Sequence, residues 1–142
     1  MKDLKLAKEI MEKEELTLVI VKDEECFFKS KERGIKPLYT ALMNHKNKLD
    51  GASAADKIVG KGAALLYIRA KVENLYAKTI SKNSLGVLEE KSIKVEGETV
   101  VPYIKNRDLT GMCPIETMAE EDDNIDNLIK RIGIFLDKNN LI

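Results

Sequence analysis

Leu4, Ala7, Ile10 and Met11 recur at three- and four-residue intervals among lysines and glutamates, which predicts an amphipathic first helix. The period then changes. Leu16 to Val21, "LTLVIV", is a continuous apolar run of the kind found in buried strands, and "CFFKS" follows after the short charged link "KDEE". So short a link predicts an antiparallel hairpin. Gly34 breaks the pattern, and Pro37 suits the first turn of a helix whose face carries Leu38, Ala41, Leu42, His45 and Leu49. Ser53 and Asp56 are spaced like a capping box, so a helix is expected from there to about Ile68. "VENLYAKTI" reads as a central strand. Ser81 to Ser84 offers caps for a helix carrying Leu85 and Leu88. "IKVEGETVVPYI" reads as strand, turn at Gly97, strand, with Pro102 pushing the last segment toward a sheet edge. A loop, "NRDLTGMCPIE", enters a short helix. Ile125, Leu128, Ile129, Ile132, Phe135 and Leu136 then stripe a terminal helix with acidic residues at its start. Helices interleaved with strands predict an α/β sandwich around a mixed sheet, built as a single domain over residues 1–142.

Composition narrows the function classes. The chain of 142 residues is 44% apolar and 34% charged, as expected of an ordinary globular protein. Its 24 basic residues balance 24 acidic ones, so no basic excess points to nucleic acid. No apolar run approaches the about 20 residues of a membrane helix, and the start lacks a signal peptide's apolar core. Cys26 and Cys113 lie far apart with no C-x-x-C. Reduced thiols and a cytoplasmic location are the expectation. One histidine and two dispersed cysteines do not have the spacing of a zinc site, and no G-x-S-x-G elbow accompanies His45. No metal and no cofactor are expected. His45 is read as a partly buried structural residue and Cys26 as core.

Two constellations carry candidate chemistry. The first surrounds Gly60-Lys61-Gly62. It fails both phosphate-loop templates: Ala55 stands where a Walker loop begins and Gly62 follows Lys61, while Leu65 replaces the third glycine of a dinucleotide fingerprint. Close packing of a helix on the sheet through bare backbone is the alternative reading of the glycines. Lys57 and Lys61, four apart, would share a helix face. They form either a solvated face or, with Asp56, one wall of a polar pocket.

The second constellation is "TGMCPIE". Pro114 fits the first helical position, which puts Cys113 at the cap. A helix start stabilises thiolate, so Cys113 is either a reactive or ligand-contacting thiol or a passive buried cap. Glu116, at the third helical position, could reach back to the cap amide. Asn106 and Arg107 close the preceding strand, where they could meet an anion or simply bond the loop.

The stretches "DKIVGKGAALLYIRAKVENLYAKTIS" and "VPYIKNRDLTGMCPIE" together resemble a small prokaryotic domain-of-unknown-function family with a cytidine deaminase-like fold. The resemblance covers nearly the whole chain, through D-x-x-x-G-K and N-R-x-x-T-G-x-C-P-x-E. It implies a three-layer α/β/α sandwich around a mixed five-stranded sheet. Deaminases of this fold hold zinc on one helix start with H-A-E or C-A-E and a second with P-C-x-x-C. The corresponding starts are taken as Asp56-Lys57 and Ser81-Lys82-Asn83-Ser84, which lack those ligands, so zinc deamination does not transfer. The fold also serves other chemistry, in the zinc-free formyltransferase of purine synthesis and in a sulfur-handling formate dehydrogenase accessory protein.

The expectation is therefore a zinc-free protein that binds a small anionic, nucleotide-like metabolite. Asp56, Lys57, Asn106 and Arg107 are the candidate ligand contacts. Cys113 is the candidate nucleophile, with Lys61 or Glu116 moving protons. Two alternatives remain: a binding or regulatory module without turnover, and a homodimer or scaffold paired through the apolar edge at Val100 to Ile104.

Overall fold

The chain's computed structural model describes residues 2–105, 114–122 and 124–141. Among these, five strands form one mixed sheet in the order β2-β1-β3-β4-β5. The first helix, α1 (Lys2–Glu14), leads into a hairpin of β1 (Leu18–Lys22) and β2 (Glu25–Ser30). Asp23 and Glu24 form its turn, both at positive φ, and the Asp3 carboxylate accepts hydrogen bonds from their two amides. Helices α2 (Lys36–Asn44) and α3 (Lys46–Leu49) follow. The rest alternates: β3 (Ser53–Val59), α4 (Lys61–Ala70), β4 (Asn74–Ser81), α5 (Lys82–Glu90) and β5 (Lys94–Val101). α6 (Pro114–Glu121) and α7 (Ile125–Lys138) complete it. β1 runs antiparallel to β2 and β3, whereas β3, β4 and β5 are parallel.

The sheet separates two cores, which makes three layers. On one face α1 buries Leu4, Ala7 and Met11 against Val19, Val21, Ala55 and Tyr76. On the other, Leu18, Ile20, Ala54, Leu75, Ala77 and Ile80 meet the helical layer, including Leu38, Leu42, Leu66, Tyr67 and Leu88. α7 adds Leu128, Ile132 and Leu136, the stripe expected from its sequence. Ala54 and Ala55 are both fully buried, and their small size lets helices approach the central strand from both sides.

Three expectations fail. Ser53 to Val59 is a strand and not the start of a helix; Ser53 and Asp56 form no capping box, and the helix begins only at Lys61. Alanine favours a helix locally, but this segment pairs with β1 on one side and β4 on the other, and sheet pairing overrides propensity. Gly97 makes no turn, for β5 runs through it in register with Ala77. A Cβ at Gly97 would stand 2.8 Å from Ile80 Cγ2, so close approach explains the glycine. The count of five strands was thus reached with one strand missed and one counted twice. His45, finally, interrupts its helix. It separates α2 from α3 and sets its ring edge-on to Phe27 and Phe28, each at 5.9 Å.

One ionisable pair sits inside the main core. Tyr67 Oη of α4 donates to Asp56 Oδ2 of β3 at 2.5 Å, and Tyr67 is fully buried. Asp56 keeps some exposed surface as a residue, but its carboxyl faces inward. Burial pushes its pKa up to about 7, against the opposing bonds from Tyr67 and the Ile58 and Lys57 amides.

Two predictions follow from this packing. A Cβ on Gly62 would overlap Ile115 Cγ2, whereas one on Gly86 would meet open space. Gly86→Ala should therefore stabilise the fold by about 0.5–1 kcal/mol, and Gly62→Ala should destabilise it by about 1–3 kcal/mol despite better helix propensity; urea denaturation measures both. Asp56 holds its proton to about pH 7 when folded but only to about pH 4 when unfolded. Over that window the folded state binds the extra proton, so the Asp56 contribution to stability falls as pH rises. Asp56→Asn should flatten the decline between pH 4.5 and 7.5, and a parallel decline in the variant would refute the assignment.

Candidate functional site

The carboxyl ends of β3 and β4 lie side by side, with Val59 paired to Ile80. Each strand passes directly into a helix, so the N-termini of α4 and α5 converge at one end of the sheet, the usual place for sites in open α/β folds. α5 begins with its own cap: Ser81 accepts from the Ser84 amide at 3.3 Å, as its sequence predicted. α4 does not. Its cap residue is Gly60, in extended conformation, and it has no side chain to offer the orphan amides.

Glu116 supplies the missing acceptor from α6. The Lys61 amide donates to Glu116 Oε1 at 2.9 Å across 55 residues of sequence. Ser81 is near enough to the Glu116 carboxyl to favour its charged form, and the Ser81 and Ser84 hydroxyls lie 2.5 Å apart. One carboxyl group thus joins two helix starts. The bare backbone makes room for it. A Cβ at Gly60 would collide with Glu116 Oε1 and sit 3.1 Å from Ile104 Cγ1, and Gly62 is closed off by Ile115. The glycines therefore pack a helix on a helix, not a helix on the sheet as expected.

Glu116 is only 5% exposed. Burial raises its pKa, and Glu120 adds to the rise; the Lys61 amide, the Lys61 charge and Ser81 oppose it. Such a carboxyl can hold a proton, release it, or accept a donor from a bound molecule. Glu116 occupies the third position of its helix, and its Oε1 caps α4; the Cys113 amide that it was expected to reach lies outside the described residues.

The other predicted residues distribute unevenly. Lys61 opens α4 and is partly exposed, with its amide on Glu116. Asp56 is on β3, bonded to Tyr67. Lys57 is exposed on the same strand, so it shares no helix face with Lys61. Neighbouring strand residues point to opposite faces, which also separates Lys57 from Asp56. Cys113, Asn106 and Arg107 lie outside the described residues. The helix start taken as Asp56-Lys57 is really Gly60-Lys61. Among the described residues, no group of three or more His, Cys, Asp or Glu stands together as a metal site. Ser81 and Ser84 were read as caps and as the counterpart of a deaminase helix start; nothing in their spacing announces a carboxyl arriving from α6.

No described helix is long and apolar enough to cross a membrane. A family model, "TM1506: Domain of unknown function (DUF1893)", matches residues 6–136. No curated protein matches the chain. Among solved structures it is similar to the crystal structure of a DUF1893 family protein (TM1506) from Thermotoga maritima. Identity is 30%, the TM-score is 0.84, and the match covers 92% of this chain and 88% of that one. A weaker likeness is to the apo dCMP deaminase from the cyanophage S-TIM5, at 13% identity and a TM-score of 0.49, covering 68% of this chain and 94% of that one. With a family model spanning most of its length and a relative that shares its fold throughout, this chain belongs to the DUF1893 family.

Proposed function

We propose that this chain binds a small anionic metabolite, nucleotide-like in shape, where β3 and β4 end. The observation that carries this reading is Glu116. A structural cap for α4 needs only a serine or aspartate at position 60. Instead a glycine stands there, and a buried carboxyl with raised pKa is brought in from another helix. Burying a carboxyl costs free energy, and groups perturbed in this way cluster at functional sites.

In this reading Lys61 meets the ligand's anionic group at the lip of the site. The Glu116 oxygen not engaged by the Lys61 amide receives or returns a proton on the ligand's polar part. Arg107 and Asn106, just before Cys113 in the chain, add charge and orientation. Cys113 stands one residue before α6 and is the candidate nucleophile, so the activity would be a thiol-dependent transfer or hydrolysis. Asp56 acts from within through Tyr67, and exposed Lys57 contributes least. Neither helix start carries His or Cys, so the chemistry is taken to be zinc-free. The site is taken to work in the cytoplasm. A binding module without turnover shares every feature except the reactive thiol.

A thermal-shift screen of nucleotides and phosphorylated sugars tests the binding site. A ligand at about 100 times its Kd adds about 2.7 kcal/mol of stability. That shift should vanish in Lys61→Ala and shrink in Glu116→Gln, with both variants confirmed as folded by circular dichroism. Shifts of full size in both variants would put the ligand elsewhere. Iodoacetamide labelling of Cys113 against pH separates catalysis from binding alone. A midpoint well below the about 8.5 of a free thiol supports the nucleophile, and one at or above it leaves the module.

A further inference from the structure

α7 has two patterned faces. Leu128, Ile132 and Leu136 point inward and are buried. Opposite them, at three- and four-residue spacing, stand Lys130, Ile134, Asp137 and, just past the helix, Leu141. Ile134 is 68% exposed, the most open large apolar residue among those described, and Leu141 is 41% exposed. Beside Ile134, α6 and α7 leave an open groove of about 420 Å³, walled in part by half-buried Met118 and Phe135. One exposed isoleucine is ordinary on a protein surface. One at the lip of an apolar groove belongs to a larger patch, which a partner can cover.

The charges around Ile134 divide into two kinds. Some are engaged: Arg131 by Glu121 at 3.0 Å and Asp122 at 3.8 Å, and Asp126 by Arg69 at 2.8 Å. Lys130 and Asp137 are exposed and have no ion pair among the described residues. They cannot pair with each other, since seven residues of helix hold them about 10.5 Å apart. Lys130 lies four residues before Ile134 and Asp137 three after it. Four back and three forward turn to the same side of a helix. A two-fold axis at Ile134 that sets α7 antiparallel to its own copy therefore brings each Lys130 beside the partner's Asp137, about 1.5 Å apart along the helix direction. The partner's Ile134 then closes on Ile134 and on the groove beside it. The exposed edge of β5 has no such match. Two copies of β5 paired antiparallel about mid-strand would set Glu96 or Glu98 beside a glutamate of the other copy.

We propose that the exposed face of α7 is a homodimer interface, in which two copies of this chain pair α7 against α7 about a two-fold axis at Ile134. Two ion pairs flank one apolar seam. The match of the stripe to itself identifies the occupant as a second copy, because an unrelated helix has no reason to carry an acid and a base at this spacing. The interface is separate from the site built on Glu116.

Sedimentation equilibrium of the full chain tests it. The expected mass is twice the 16.0 kDa of one chain, with association that weakens as salt rises. Ile134→Asp should leave a monomer. Lys130→Glu and Asp137→Lys should each weaken association about tenfold. The double variant Lys130→Glu with Asp137→Lys should restore it, because the pairs re-form between copies with their signs exchanged. The two positions cannot pair within one chain, so a merely structural role gives no such rescue. All three positions are on the surface, and circular dichroism checks that each variant folds. A monomer at millimolar concentration, a dimer that survives Ile134→Asp, or a double variant as weak as the single ones overturns the proposal.

Discussion

A helix that starts on a glycine leaves its first amides without an acceptor, and α4 takes its acceptor from Glu116. Much of the packing at the carboxyl end of β3 is arranged around that bond. It requires bare backbone at Gly60 and Gly62, because a methyl group at either position would collide with α6. It draws α6 against α4, and α7 packs against both. It also brings a carboxyl group to Ser81 at the start of α5. The parallel crossovers place two helix starts beside each other, and Glu116 adds a buried carboxyl to that adjacency.

Apart from Asp56, the buried polar side chains of β3 and β4 stand at the strand ends, Ser53 and Asn74 at one and Ser81 at the other. Between them β3 and β4 carry Ala54, Ala55, Leu75, Tyr76 and Ala77, all buried. At the carboxyl ends, the crossovers give amides and hydroxyls that can be shared. At the amino ends, Ser53 and Asn74 bond each other, with Asn74 Nδ2 donating to Ser53 Oγ at 3.1 Å. An end whose polar groups satisfy one another can be explained by folding alone.

Long periodic elements were legible in the sequence. α1, the β1–β2 hairpin, β4, α5 with its Ser81 cap and the α7 stripe all stand where the pattern put them. What failed was short and depended on distant partners. Ser53-Ala-Ala-Asp reads as a helix start until β1 and β4 flank it. Gly97 reads as a turn until Ile80 is seen against it. The candidate site shows the same limit. Lys61 and Glu116 were both singled out, but their meeting joins the Lys61 amide, not its side chain, to the carboxyl. Backbone partners leave no trace in residue type. Asn74 was invisible for a related reason: inside "VENLYAKTI" a single amide does not disturb an apolar run.

Asp56 and Glu116 are both inward carboxyls whose pKa is raised first by burial, but they stand in different electrostatic settings. Asp56 is held by a phenol and two amides within the core, and the nearest helix meets it through Tyr67, a turn or more inside α4. Nothing there favours charge strongly, so burial prevails. Glu116 sits on the amide of the first α4 residue, where the helix dipole favours an anion, with the Lys61 ammonium acting in the same direction. Burial and Glu120 act against it. Burial prevails, and the opposing amide, ammonium and hydroxyl make the proton on Glu116 responsive to charge brought near Lys61. An anion arriving at Lys61 removes part of the support for the carboxylate and favours its protonated form. On the proposed reading, ligand binding and proton uptake would be linked through this one residue.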